Sequence, residues 1–349
     1  MEYQTPIFNK YKQYLLIVMA TLAALLTSAC GGSGSTPSAT QPPASRPTPH
    51  PQQVYVDLVS QPGLNQTGLA FLVNVNGGRN VSSARLIQDN GLAERDYISF
   101  NSESFELTSN VNINGQQLFS DLSGPLRIFQ TFDEAFTNWE TNGRRDLNKK
   151  ILILRPGERG IGASHSSLAY WVDADAPILT VGAIILGVPI SAQQIPDTGS
   201  ARFSGLMRGF MTGDDQLWEL HSSFDAEVNF GTGAFNGRFT DGTRIDTMRD
   251  DGSLFSSHVT DQELPDLIRT PDNFNDTFDW SLTGSIITGN NAFEGTLSGI
   301  DDGSAWTGQF TGSFFGSGRI GIPEELGGLW NATNNSGHIA GGAFIGKND

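Results

Sequence analysis

Trp306 to Phe314 reads WTGQFTGSF. Trp306, Gly308, Phe310, Gly312 and Phe314 fall at every second position, opposite Thr307, Gln309, Thr311 and Ser313. A period of two sends successive side chains to opposite faces of a strand, so this stretch has one face of rings and glycines and one polar face. The pattern spreads upstream. FEGTLSG from Phe293 sets Phe293, Gly295, Leu297 and Gly299 against Glu294, Thr296 and Ser298; FDWSL from Phe278 sets Phe278, Trp280 and Leu282 against Asp279 and Ser281. Phe235, Gly237 and Phe239 alternate with Asn236 and Arg238, and Phe224, Ala226, Val228 and Phe230 with Asp225, Glu227 and Asn229.

Eight strands follow from this reading, at about 200–212, 217–230, 233–241, 277–288, 291–300, 304–315, 326–334 and 338–346. Turns as short as Gly231-Thr232 and Asp301-Asp302-Gly303 make neighbours antiparallel, and eight antiparallel strands close into a barrel just wide enough for side chains to fill. A transmembrane barrel shares the period with its apolar face outward. Acidic Asp225, Glu227, Asp279 and Glu294 on the polar face, and the polar end Gly346-Lys347-Asn348-Asp349, favour the water-soluble arrangement with rings inside.

One connection breaks the rhythm. Asp241 to Asp276 is far longer than the roughly 12–15 residues beyond which loops are functional or disordered. Arg249, Phe255, His258 and Arg269 in it are the candidate ligand-contact residues.

Upstream, residues 54–196 are also rich in extended stretches: Gly68 to Val75, Tyr97 to Phe100, Ser104 to Val111, Leu126 to Phe132, Ile151 to Arg155 and Leu168 to Asp173. Asn76-Gly77-Gly78, Asn90-Gly91 and Asn114-Gly115 signal turns. A single short helix is expected from Asp133 to about Glu140, with Phe132, Phe136 and Trp139 on its core face. The expected fold is all-β, a β-rich region over 54–196 followed by the barrel over 197–349.

The first 53 residues read as address and tether. Lys10 and Lys12 precede an apolar run of twelve, Leu15 to Leu26, which suits a signal-peptide core and falls short of the roughly 20 residues of a membrane span. Small residues lead to Cys30, the sole cysteine, in a pattern that resembles a bacterial lipobox, with Thr27 in the place usually held by leucine. The resemblance implies cleavage after residue 29 and acylation of Cys30. Gly31 to Gln53 is almost devoid of apolar residues, and its Gly, Ser and Pro cannot repay the cost of ordering. Residues 30–53 are expected to be a flexible tether, lipidated at Cys30 as the lipobox resemblance implies.

Chemistry is thinly represented. A formal charge of −16 argues against nucleic acid. His165 stands among Ser164, Ser166 and Ser167, but a nucleophile needs a positioned base and an orienting acid rather than sequence neighbours. GERGIG from Gly157 lacks the lysine and Ser/Thr of a phosphate loop. The five histidines, His50, His165, His221, His258 and His338, are not at metal-ligand spacing. No catalytic residue, metal or resident cofactor is expected, and the chain reads as a non-enzyme; haem is conceivable as a ligand, with His258 the first candidate.

Two segments carry a family resemblance. Gly182 to Gly209, GAIILGVPISAQQIPDTGSARFSGLMRG, resembles the link between subdomains in transferrin-binding protein B-like surface lipoproteins. Phe314-Phe315-Gly316, then Pro323-Glu324-Glu325-Leu326-Gly327-Gly328, then His338 to Lys347, HIAGGAFIGK, is similar to that family's C-terminal pattern. The resemblance implies a handle subdomain before the barrel, in a single lobe. It also implies lipid anchoring at the outer membrane and exposure at the cell surface. Capture of a host iron protein, haem or another solute, beside a TonB-dependent transporter, is part of the same implication. The rival reading is a structural, adhesive or immune-evasion envelope lipoprotein with no part in iron uptake.

Labelled palmitate supplied to expressing cells is expected to appear on the wild-type chain and to be absent from Cys30→Ser; a wild-type band without label would remove the anchor.

Overall fold

The computed structural model describes residue 58 and residues 63–75, 81–89, 91–95, 97–101, 106–125, 127–130, 140–145, 149–154, 163–173, 178–213, 216–246, 277–318 and 321–349. Eighteen strands lie among them. The first ten are β1 Asn65–Val75, β2 Val81–Gln88, β3 Ile98–Asn101, β4 Glu106–Ile113, β5 Gln116–Pro125, β6 Arg127–Gln130, β7 Glu140–Arg145, β8 Lys149–Leu154, β9 Ser166–Asp173 and β10 Leu179–Gly187. The remaining eight are β11 Ser200–Gly213, β12 Gln216–Asn229, β13 Ala234–Asp246, β14 Thr277–Ile286, β15 Phe293–Asp301, β16 Ser304–Phe315, β17 Glu325–Asn334 and β18 Ile339–Asn348.

Strands β11 to β18 form a closed antiparallel barrel in sequence order, sealed where Phe203 of β11 meets Asn348 of β18. The alternation works as read. Along β15, Phe293, Leu297 and Asp301 are buried while Glu294, Thr296 and Ser298 face out. Rings fill the interior: Phe235 stacks on Phe293 at 4.8 Å, Phe224 lies 4.8 Å from Phe344, and Trp280 sits 5.5 Å from Trp306 and 5.3 Å from Trp330. Glycines on the inward face make room for them. A Cβ on Gly308 would collide with the Asn331 carbonyl of the next strand, so this approach of β16 to β17 needs glycine. Apolar inside and charged outside is the reverse of a lipid-facing barrel.

A seven-stranded sheet, in the order β2-β1-β10-β9-β8-β7-β6, lies against this barrel, and a three-stranded sheet of β3, β4 and β5 covers its other face. The two-sided burial is written in β9 and β10, whose every residue is buried. Leu168, Tyr170, Val172, Val181, Ala183 and Ile185 pack toward the barrel. Ala169, Trp171, Ile184 and Leu186 pack toward Val111, Ile113 and Phe119 of the smaller sheet. A strand covered on both faces loses its polar alternation and reads as a continuous apolar run. The barrel wall shows the same change: β11 alternates over its first half, then is buried without break where Leu206 and Phe210 meet the sheet.

Two of the expected elements differ in the structure. Asp241 to Asp246 belong to β13 and not to the long connection, because the strand continues past a bulge. Asp241 takes φ +53° there and the register shifts between Phe239 and Gly242, so the two-residue rhythm breaks while the pairing persists. Past the bulge Arg244 lies over the Trp218 ring at 5.7 Å and 3.5 Å from Asp301, at the barrel rim. Second, Glu140 opens strand β7 and not the end of a helix; residues 133–139 lie outside the described residues. Strands β2, β5 and β7 were not anticipated, and β10 only through the segment that carried the family resemblance.

Phe344 touches the rings of Phe224, Phe239, Phe293 and Phe310, so Phe344→Ala leaves a cavity at the centre of the barrel. Chemical denaturation is expected to register a loss of about 3–5 kcal/mol. Glu294→Gln on the outer wall should change stability by no more than about 0.5 kcal/mol. Equal effects would contradict the sidedness described.

Candidate functional site

Cys30, the tether, and all four candidate contact residues, Arg249, Phe255, His258 and Arg269, lie outside the described residues. The described histidines have structural partners. His165 Nε2 is 2.7 Å from Glu324, His221 Nε2 is 2.7 Å from Glu219 in a buried pair, and the His338 amide donates to Asn334 Oδ1 at 3.0 Å. Among the described residues no group of three or more His, Cys, Asp or Glu is placed to hold a metal ion.

The serine–histidine run is a latch between the two layers. Glu325, at the start of β17 and 1 % exposed, accepts from the Ser164 amide at 2.5 Å, the His165 amide at 3.1 Å and the Ser166 hydroxyl at 2.6 Å. A buried carboxylate is tolerable when its lone pairs are filled by donors in this way. The Ser166 hydroxyl is thereby turned to a carboxylate and not to His165. Next to it, the Ser317 hydroxyl holds Glu324 below the ordinary carboxylate value; burial opposes this and the charge of His165 adds to it.

A second network braces the edge of the seven-stranded sheet. Asp89 follows β2 and accepts from the Gly68 amide at 3.2 Å and from the Tyr97 hydroxyl at 2.7 Å, while Arg95 contacts both Asp89 and Tyr97. Burial, then the hydrogen bond to Asp89, pushes the Tyr97 phenol up to about 12. One residue earlier, Gln88 Oε1 accepts from Asn331 Nδ2 of the barrel wall at 2.9 Å.

With its interior packed, the barrel offers its outer surface. Among the described residues it carries concavities over two parts of the wall. One of about 430 Å³ runs over β11 to β13, with loose ion pairs Arg202–Glu227 at 3.9 Å and Arg238–Asp225 at 4.0 Å across exposed side chains. The other, of about 550 Å³, lies where Gln88 and Asp89 overhang β15 to β17. Sequence reasoning missed both, along with Glu325 and Asp89, because each depends on residues brought together from distant parts of the chain; the Pro-Glu-Glu-Leu motif was the only local signal.

The described residues define a β-barrel protein with a packed handle sheet. The chain is similar to isotype 1 transferrin-binding protein B from serogroup B Neisseria meningitidis, with a TM-score of 0.42, 12% identity, and coverage of 82% of this chain and 43% of that one. It is also similar to a substituted form of transferrin-binding protein B, a vaccine antigen, from Haemophilus parasuis Hp5, with a TM-score of 0.31, 10% identity, and coverage of 82% and 75%. This chain thus spans less than half of the meningococcal protein. No protein-family description matches the sequence, and neither does any curated protein.

The two networks predict opposite pH responses. Glu324, lowered in the fold, contributes stability above its ordinary 4.5 that is lost as pH falls through the folded value, so Glu324→Gln should flatten the acid side of a melting-temperature profile. Tyr97, raised, contributes stability that is complete below pH 10 and fades as pH climbs toward about 12; Tyr97→Phe should flatten that limb instead. Unchanged profiles in both variants would show that neither group is linked to folding.

Proposed function

We propose that this chain is a lipid-anchored ligand-binding protein of the outer membrane that captures a host iron- or haem-carrying protein, haem or another solute for a partner transporter. One observation carries the binding part. Packed rings occupy the barrel interior among the described residues, which favours a ligand met on the outer surface. Such a surface suits a macromolecular partner better than an enclosed small molecule. The long connection with Arg249, Phe255, His258 and Arg269 is the proposed contact segment, since its length between β13 and β14 far exceeds that of an ordinary turn. The anchor at Cys30 and the prolines of the tether would hold the barrel away from the lipid.

Immobilised full-length chain is expected to retain haemin, a haemoprotein or a host iron carrier, and His258→Ala with Arg269→Ala to weaken retention about tenfold. Absence of retention for all three ligands would remove iron capture and leave the adhesive or immune-evasion reading.

A further inference from the structure

The larger concavity has a definite chemistry. Register places Thr296, Gln309 and Asn331 side by side on the outer faces of β15, β16 and β17, with Glu294 and Thr311 in the adjoining row. Gln88 overhangs them from the handle sheet. The side chains of Glu294, Gln309 and Thr311 make no hydrogen bond among the described residues. Asn331 spends its Nδ2 on Gln88 Oε1, which fixes both amides and leaves Asn331 Oδ1 to accept and Gln88 Nε2 to donate.

Charge narrows the ligand class. Among the described residues no lysine, arginine or histidine lines this concavity, and Glu294 biases it against anions such as phosphate or sulfate. The oxygens of Asp89 are engaged by Gly68, Tyr97 and Arg95, which leaves Glu294 alone, too few carboxylates for a cation site. What remains is a row of amides and hydroxyls that both donate and accept. Its volume of about 550 Å³ lies within the roughly 300–1,000 Å³ of small-molecule sites. Each hydroxyl of a sugar also donates and accepts, and a chain of sugars matches a row of such groups. We infer that this groove between the handle sheet and the barrel binds a neutral oligosaccharide. The inference rests on ligands meeting the outer surface, and needs neither iron nor a transporter.

Sugar hydroxyls exchange hydrogen bonds with water at little net gain, so affinity is expected on the order of millimolar, which suits saturation-transfer NMR. The full-length chain, held in a detergent without a sugar headgroup, is tested against maltotriose, chitotriose and lactose, with a sulfated heparin disaccharide as the charged probe. Transfer from at least one neutral sugar is expected. Gln309→Ala, which removes a side chain with no hydrogen-bond partner among the described residues, should weaken binding about tenfold. Thr296→Arg, filling the groove with a cationic side chain, should abolish it, and Arg238→Ala at the other concavity should leave it intact. Silence from all three sugars overturns the inference, as does binding that survives Thr296→Arg or transfer from the heparin disaccharide alone. No iron carrier is present in this measurement, so failure of iron capture would not alter its outcome.

Discussion

The contact between the outer wall of the barrel and the inner face of the seven-stranded sheet governs this structure. Barrel strands normally bury one face; here the stretch of β11 around Leu206 and Phe210, together with Leu329, Ala343 and Ile345, is buried on both. The sheet strands opposite are enclosed as well, between the barrel and the smaller sheet. Burial of this kind is non-directional and scales with apolar area, at roughly 25 cal/mol per Å². It joins the layers but does not fix their register. The polar latches do that: Glu325 gathers the Ser164 to Ser166 segment at one place, and Gln88 meets Asn331 at another.

How well the sequence can be read follows from this arrangement. Where barrel strands face water on one side, as in β14, β15 and β16, rings and polar residues alternate, and the strands were legible almost to the residue. Where both faces are covered, as in β10, LTVGAIILG has no period to read. The edge strand β2, VSSARLIQ, has a weak mixed pattern, and was missed for the opposite reason. The bulge at Asp241 hid the end of β13 because an extra residue exchanges inside for outside while the hydrogen-bonded pairing goes on.

The surface features were illegible for another reason. Glu325 and Ser164 are separated by 161 positions, and Gln88 and Asn331 by 243. Nothing local distinguishes an asparagine that meets a distant glutamine from one in a turn. The use of the serine–histidine run as a set of donors for a buried carboxylate became visible only in three dimensions.

Closure of the barrel has a kinetic side. β11 pairs with β12 nearby and with β18, where Ser204 faces Lys347 across almost the whole length of the barrel segment. Loop-closure entropy has to be met before such remote pairings give anything back, which slows folding relative to chains built from neighbouring contacts. The ring cannot shut until its final strand is in place. Until then the Phe- and Trp-rich inner faces stand open as a curved sheet with two free edges, the state in which this protein is most exposed to self-association.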